Sequence, residues 1–109
     1  MYFDAAGAIL TNYFFSSLTQ MQDKFRSSHV VAGDDNDMCF GGLDAWGRGT
    51  PYPPGEMHHG VAAAREADIS ICVFAPGWTY ENAAGQDVEK WGPIEDSFWS
   101  DIREAWLGA

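Results

Sequence analysis

The sequence predicts an α/β fold built on parallel strands. Apolar runs of strand length alternate with stretches whose apolar residues recur at helical spacing, giving the order strand, helix, strand, helix, strand, helix. That alternation is the mark of parallel strands joined by helical crossovers. The connections before the strands are short, whereas those after the second and third strands are long. Long loops at the carboxyl ends of parallel strands are where α/β proteins carry their sites.

Residues 7–15 form the first apolar run, read as a strand buried on both faces. Ser16 or Ser17 can cap the helix that follows over 17–28, where Leu18, Met21, Gln22 and Phe25 recur at helical spacing. Ala32 to Asp37, with Gly33 and three Asp, make a loop. A second strand is predicted at 38–43, then a polar loop rich in Gly and Pro from Asp44 to Gly55. Alanines at 62, 63, 64 and 67 favour a helix from Glu56 to Asp68. Ile69 to Ala75 is the clearest strand, ended by Pro76-Gly77. A second long loop is predicted from Trp78 to Gly92. Pro93 then opens a last amphipathic helix carrying Phe98, Trp99, Ile102 and Trp106.

The 109 residues suffice for one small domain with one core, and they are 46% hydrophobic. Aromatic residues reach 15%, five of them Trp, which suits a large core or a surface that stacks on flat rings. Acidic residues outnumber basic ones by 16 to 6, and the six cations are scattered. Phosphate-rich partners need clustered Lys and Arg, so nucleic acid and anionic membrane are excluded as partners. No stretch approaches the ~20 apolar residues of a membrane span, and the first residues carry no signal-peptide pattern. Cys39 and Cys72 each lie in an apolar run and read as buried thiols, with a disulfide left open. A cytoplasmic setting is expected.

The three strand ends hold the candidate site. Asn12 and Tyr13 end the first strand, and Asp44, Trp46 and Arg48 follow the second. Trp78 and Glu81 follow the third. Amides, phenols, carboxylates and indoles are what a sugar site uses: hydrogen bonds to hydroxyls, and flat apolar faces under the ring. Taken singly, each residue also has a plainer role. Asn12 can tie a loop, Tyr13 and Trp46 can be core aromatics, and Asp44 with Arg48 can be a local salt bridge.

Asn12-Tyr13, then Gly42 to Gly49 (GLDAWGRG), then Phe74 to Glu81 (FAPGWTYE), then Phe98-Trp99, resemble glycoside hydrolase family 85 in order and approximate spacing. The resemblance spans about Asp4 to Trp99. It implies a fragment of a TIM (β/α)8 barrel: about three β-α units in one incomplete domain, the fifth to seventh by analogy with the family. It also implies an endo-β-N-acetylglucosaminidase that cuts the bond between the two N-acetylglucosamines of N-glycan cores. The family does so with retention, using the substrate's own 2-acetamido oxygen, an exception to the two-carboxylate scheme. No cofactor is implied, and the partner is an N-linked glycan or glycopeptide. By resemblance Tyr13 contacts the acetamido or oxazoline group and Trp46 lines the acceptor side. Asn12, Asp44, Arg48, Trp78 and Glu81 join the substrate-binding set without individual roles. The family's acid/base Glu and orienting Asn lie in an N-x-E motif that these residues do not contain, so the chain alone is expected to be inactive. The family's N-Y pair usually continues with Trp, whereas Phe14 stands here.

No metal site is expected. His58 and His59 with Glu56 suggest a ligand set, but adjacent side chains on a helix diverge. Asp34 to Asp37 lacks the Gly and terminal Glu of a calcium loop. Gly41-Gly42 and Gly47-x-Gly49 lack the context of a phosphate loop. Two other readings stand beside the enzyme: a non-catalytic carbohydrate-binding remnant, and an unrelated small flavodoxin-like α/β domain. An open three-stranded sheet has two edges, so marginal stability and self-association through them are expected.

Overall fold

A computed structural model describes residues 9–10, 17–32 and 39–108. In chain order it contains β1 (Ile9–Leu10), α1 (Leu18–Ala32), β2 (Cys39–Asp44), α2 (His58–Glu66), β3 (Ser70–Phe74), a π-helical turn (Thr79–Ala83) and α3 (Val88–Leu107). The strands form one parallel sheet in the order β1-β2-β3. The predicted alternation is therefore present. Of the first predicted strand only Ile9–Leu10 is seen as strand, and its other residues lie outside the described ones. The helix predicted to end at 28 runs on to Ala32, the first residue of the predicted loop, and the rest of that loop, 33–37, lies outside them too.

Helix α1 begins where Ser17 caps it, its side-chain oxygen accepting from the Gln20 amide at 3.1 Å. Met21 and Phe25, one turn apart, are both fully buried, while Leu18 is 40% exposed. The apolar stripe is thus narrower than the spacing predicted. Helix α2 lays Val61 and Ala64 on the same core, and Gly60 lets it approach β2 closely. A Cβ at Gly60 would collide with the Leu43 side chain. Leu43, Met57 and Ile69 complete the centre, with Phe98 and Ile102 of α3 closing it. Arg26 and Glu66 tie α1 to α2 at the surface with a 2.7 Å ion pair.

Two expectations are corrected. Helix α3 starts at Val88, not at Pro93, because Asp87 is extended and accepts from the Glu89 amide at 3.0 Å. Pro93 sits inside the helix. The long loop predicted from Trp78 to Gly92 is instead mostly the π-helical turn and the first turn of α3. Cys72 is the second correction. Cys39 is buried, but Cys72 is exposed, and neither forms a disulfide. On β3, Ile71 and Val73 pack against the core while Cys72 and Phe74 are exposed. Parallel sheets are ordinarily covered on both faces. No described helix is long and apolar enough to cross a membrane.

Candidate functional site

The carboxyl ends of β2 and β3 are stitched together where the candidate residues stand. The Ala45 amide donates to the Phe74 carbonyl at 3.0 Å, continuing the ladder one residue past β2. Gly47, with φ 71, turns the chain back, and its amide returns to the Asp44 carbonyl at 3.0 Å. Gly55 then comes alongside, donating to the Ala45 carbonyl at 3.0 Å.

Asp44 is the centre of this end. Its side chain is fully buried yet saturated with donors. The Trp46 amide donates to Oδ1 at 3.0 Å. Arg48 donates from Nε to Oδ2 at 2.8 Å and from Nη2 to Oδ1 at 3.3 Å. A forked guanidinium on a carboxylate is the strongest and most directional ion pair available to side chains. The Arg48 guanidinium lies 5.8 Å from the Trp46 ring centre and 5.5 Å from that of Phe74. Tyr52 accepts from the Asp44 amide at 3.2 Å through its hydroxyl. Burial pushes the Tyr52 phenol up to about 12. Asp44 and Arg48 therefore do form the local salt bridge that the sequence allows, and that bridge fixes Trp46 at the strand end.

The segment after β3 carries the second half of the candidate set. Ala75 has φ 58, a left-handed conformation that swings Pro76-Gly77 away from the strand. The Trp78 ring packs against Gly55, where any Cβ would overlap it. It also lies 6.2 Å from the ring of Phe98. Gly55 so joins the two halves, because it touches Trp78 and bonds to Ala45. The Trp78 indole N–H is buried with no hydrogen-bond partner among the described residues. Trp78, Phe98, Ile94 and Pro93 line an open groove of about 340 Å³, with Ser97 and Asp101 as its polar members. Glu81 is exposed, and its amide donates to the Gly77 carbonyl at 2.9 Å. Asn12 and Tyr13 lie outside the described residues.

One cluster was not read from the sequence. Glu95 of α3 collects three donors on one carboxylate. The Thr79 hydroxyl donates to Oε2, as does the Trp91 indole at 2.8 Å, and the Trp99 indole donates to Oε1 at 2.5 Å. The Thr79 hydrogen bond holds the Glu95 carboxyl below the usual carboxylate value, against the opposing effect of burial and with further help from Trp99 and Trp91. The Trp91-Glu95-Trp99 spacing is a helical i, i+4, i+8 row, visible only once α3 is known to start before Trp91.

The histidine pair also departs from expectation. Glu56, His58 and His59 place one ligand atom each within 4.8 Å of one another. The two imidazole ring centres lie 4.3 Å apart at the first turn of α2, with Glu56 just before it. His59 Nε2 is 3.6 Å from Glu56.

The family model described as Glycosyl hydrolase family 85 matches residues 1–108. The chain is similar to cytosolic endo-beta-N-acetylglucosaminidase 1 of Arabidopsis thaliana, 30% identical over 107 residues. That match covers 96% of this chain and 14% of the relative. It is 27% identical over 107 residues to cytosolic endo-beta-N-acetylglucosaminidase 2 of the same plant, with the same coverage of 96% and 14%. To the cytosolic endo-beta-N-acetylglucosaminidase of Danio rerio it is 30% identical over 101 residues, 92% of this chain and 13% of the relative. The chain thus spans about one-seventh of the length of the curated relatives it matches. No solved structure gives a significant match.

Proposed function

The chain belongs to glycosyl hydrolase family 85, and from that membership we propose that it forms part of a cytoplasmic endo-β-N-acetylglucosaminidase acting on N-linked glycans. The reaction is hydrolysis of the bond between the two core N-acetylglucosamines. The observation that carries this reading is the family match over residues 1–108. Three matched relatives bear that enzyme's name and the word cytosolic.

In this proposal the described sheet is a portion of a (β/α)8 barrel, with its carboxyl end as the glycan site. Trp46 lines the acceptor side, held by the Asp44–Arg48 fork. Trp78 supplies a ring face to the open groove it lines with Phe98. Asn12 and Tyr13 belong to the same site, Tyr13 beside the acetamido group. Catalysis is retaining and substrate-assisted, the 2-acetamido oxygen attacking the anomeric carbon to give an oxazolinium. The Asn-x-Glu motif that supplies the acid and base in this mechanism does not occur within the 109 residues. These residues by themselves are therefore proposed to bind the glycan without cleaving it.

A hydrolysis assay with a high-mannose N-glycopeptide tests this. The 109-residue chain is expected to release no product, while an NMR titration with the trimannosyl-chitobiose core moves the indole signals of Trp46 and Trp78. Turnover by the 109 residues, or an unmoved pair of indoles, would overturn it.

The second reading, a carbohydrate-binding remnant with no catalytic parent, draws on the Asp44–Arg48 bridge. Both charged groups there are committed to holding the strand end. Activity in a polypeptide that includes the Asn-x-Glu motif separates the two.

A further inference from the structure

A carboxylate on an exposed helix face is ordinarily solvated and does nothing more. Glu95 departs from that in every respect on view. All three of its donors come from uncharged side chains, and two are indoles that have only one donor each. Hydrogen bonds to an ionised acceptor are about twice as strong as neutral ones.

What the carboxylate grips is the segment that carries the candidate site residues. Thr79 is buried at 1% exposure, and it is the first residue of the π-helical turn. Its chain neighbours are Trp78 on one side and Tyr80 and Glu81 on the other. A π-turn is a costly local geometry that persists where surrounding contacts enforce it. Here the turn sends Thr79 inward while Tyr80 and Glu81 stay exposed. The Trp91 indole reinforces the link, lying 3.3 Å from the Thr79 oxygen as well as 2.8 Å from Glu95. The Trp91 ring meets Tyr80 edge-on at 5.4 Å, so the same helix residue braces the outward side of the turn.

We propose that Glu95 is a positioning residue, which through Thr79 sets the placement of Trp78 and thereby the glycan site at the carboxyl end of β3. The glycan half of this statement rests on the function proposed above. The positioning half stands on the hydrogen bonds alone. Glu95 touches no substrate in this scheme. It acts by keeping the π-turn docked on α3, so that Trp78 stays on Gly55 and beside Phe98.

The test uses the 109-residue chain, ¹⁵N labelling of its five indoles, and the trimannosyl-chitobiose core as the probe. In Glu95→Gln one of the two acceptor oxygens becomes an amide nitrogen, so the three donors can no longer all be met. Trp78, Trp91 and Trp99 signals are expected to move, while Trp46 and Trp106, outside the network, hold their positions and report an intact fold. Thr79→Val should move Trp78 in the same way, and Thr79→Ser, which keeps the hydroxyl, should restore it. Affinity for the probe should fall about tenfold in Glu95→Gln and Thr79→Val, in line with one lost charge-assisted hydrogen bond. A Trp78 signal unmoved in both variants overturns the positioning role. If Glu95→Gln does not fold, the Thr79→Val and Thr79→Ser pair decides the question. If the wild-type chain does not bind the probe, the glycan function fails, and the positioning role is still judged by the Trp78 signal.

Discussion

Arg48 holds Asp44 with a two-pronged grip, at 2.8 Å and 3.3 Å, in which the acid is fully buried and the base is 56% exposed. The arrangement is asymmetric. Removing the arginine leaves a dry carboxylate held by the Trp46 amide.

Arg48→Ala should therefore destabilise the chain by about 2 kcal/mol, the scale of a buried charge left short of partners after allowance for an exposed guanidinium. Arg48→Lys should recover only part of this, because an ammonium cannot reproduce the fork. Urea denaturation followed by circular dichroism measures both. Equal stability of wild type and Arg48→Ala would mean that water replaces the guanidinium without loss.

The Tyr52 phenol gives a pH dependence with a definite sign. Its folded value is raised from 10 to about 12, so the folded state keeps the proton that the unfolded chain releases. The associated stability is complete below pH 10 and is lost as pH rises toward 12, amounting to about 3 kcal/mol across that window. Alkaline titration of tyrosinate absorbance, paired with stability at each pH, should show one late phenol. Tyr52→Phe should remove it, together with the acceptor of the Asp44 amide.

Gly60 sets two effects against each other. Alanine in a helix interior ordinarily gains about 1 kcal/mol over glycine. Here the added methyl meets the buried Leu43 side chain. Overpacking of that kind costs about 1–3 kcal/mol, so Gly60→Ala is expected to be net destabilising. A rise in melting temperature would show that Leu43 moves aside freely.

The open side of β3 predicts association. Phe74 is 46% exposed, and β3 pairs with β2 alone among the described residues. Sedimentation should show weak, concentration-dependent self-association of the 109-residue chain, reduced by Phe74→Glu. A monomer at all concentrations with a sharp cooperative melt would count against it.

Much of the fold was legible because period and punctuation agree. Ile69 to Phe74 is a β-branched and aromatic run closed by Pro76-Gly77, and Met21 with Phe25 marks a helix face. The start of α3 was not legible, since Gly92-Pro93 resembles a boundary and lies five residues past the Asp87 cap that the structure shows. Exposure of Cys72 was hidden as well. A strand run states that side chains alternate, not which face is covered. At the site, Asp44 and Arg48 could be paired by spacing alone, being four residues apart. Glu95 could not. Its tie to Thr79 spans sixteen positions and depends on a π-turn that no local pattern announces.

The unequal surroundings of the two thiols make the chain its own probe. A maleimide reagent should modify Cys72 quickly and leave Cys39, 2% exposed, intact. The alkylation rate at that single position then reports whether the outer face of β3 is naked or shielded. Applied to any longer polypeptide or mixture containing these residues, the same reaction would register burial of that face without a structure being solved.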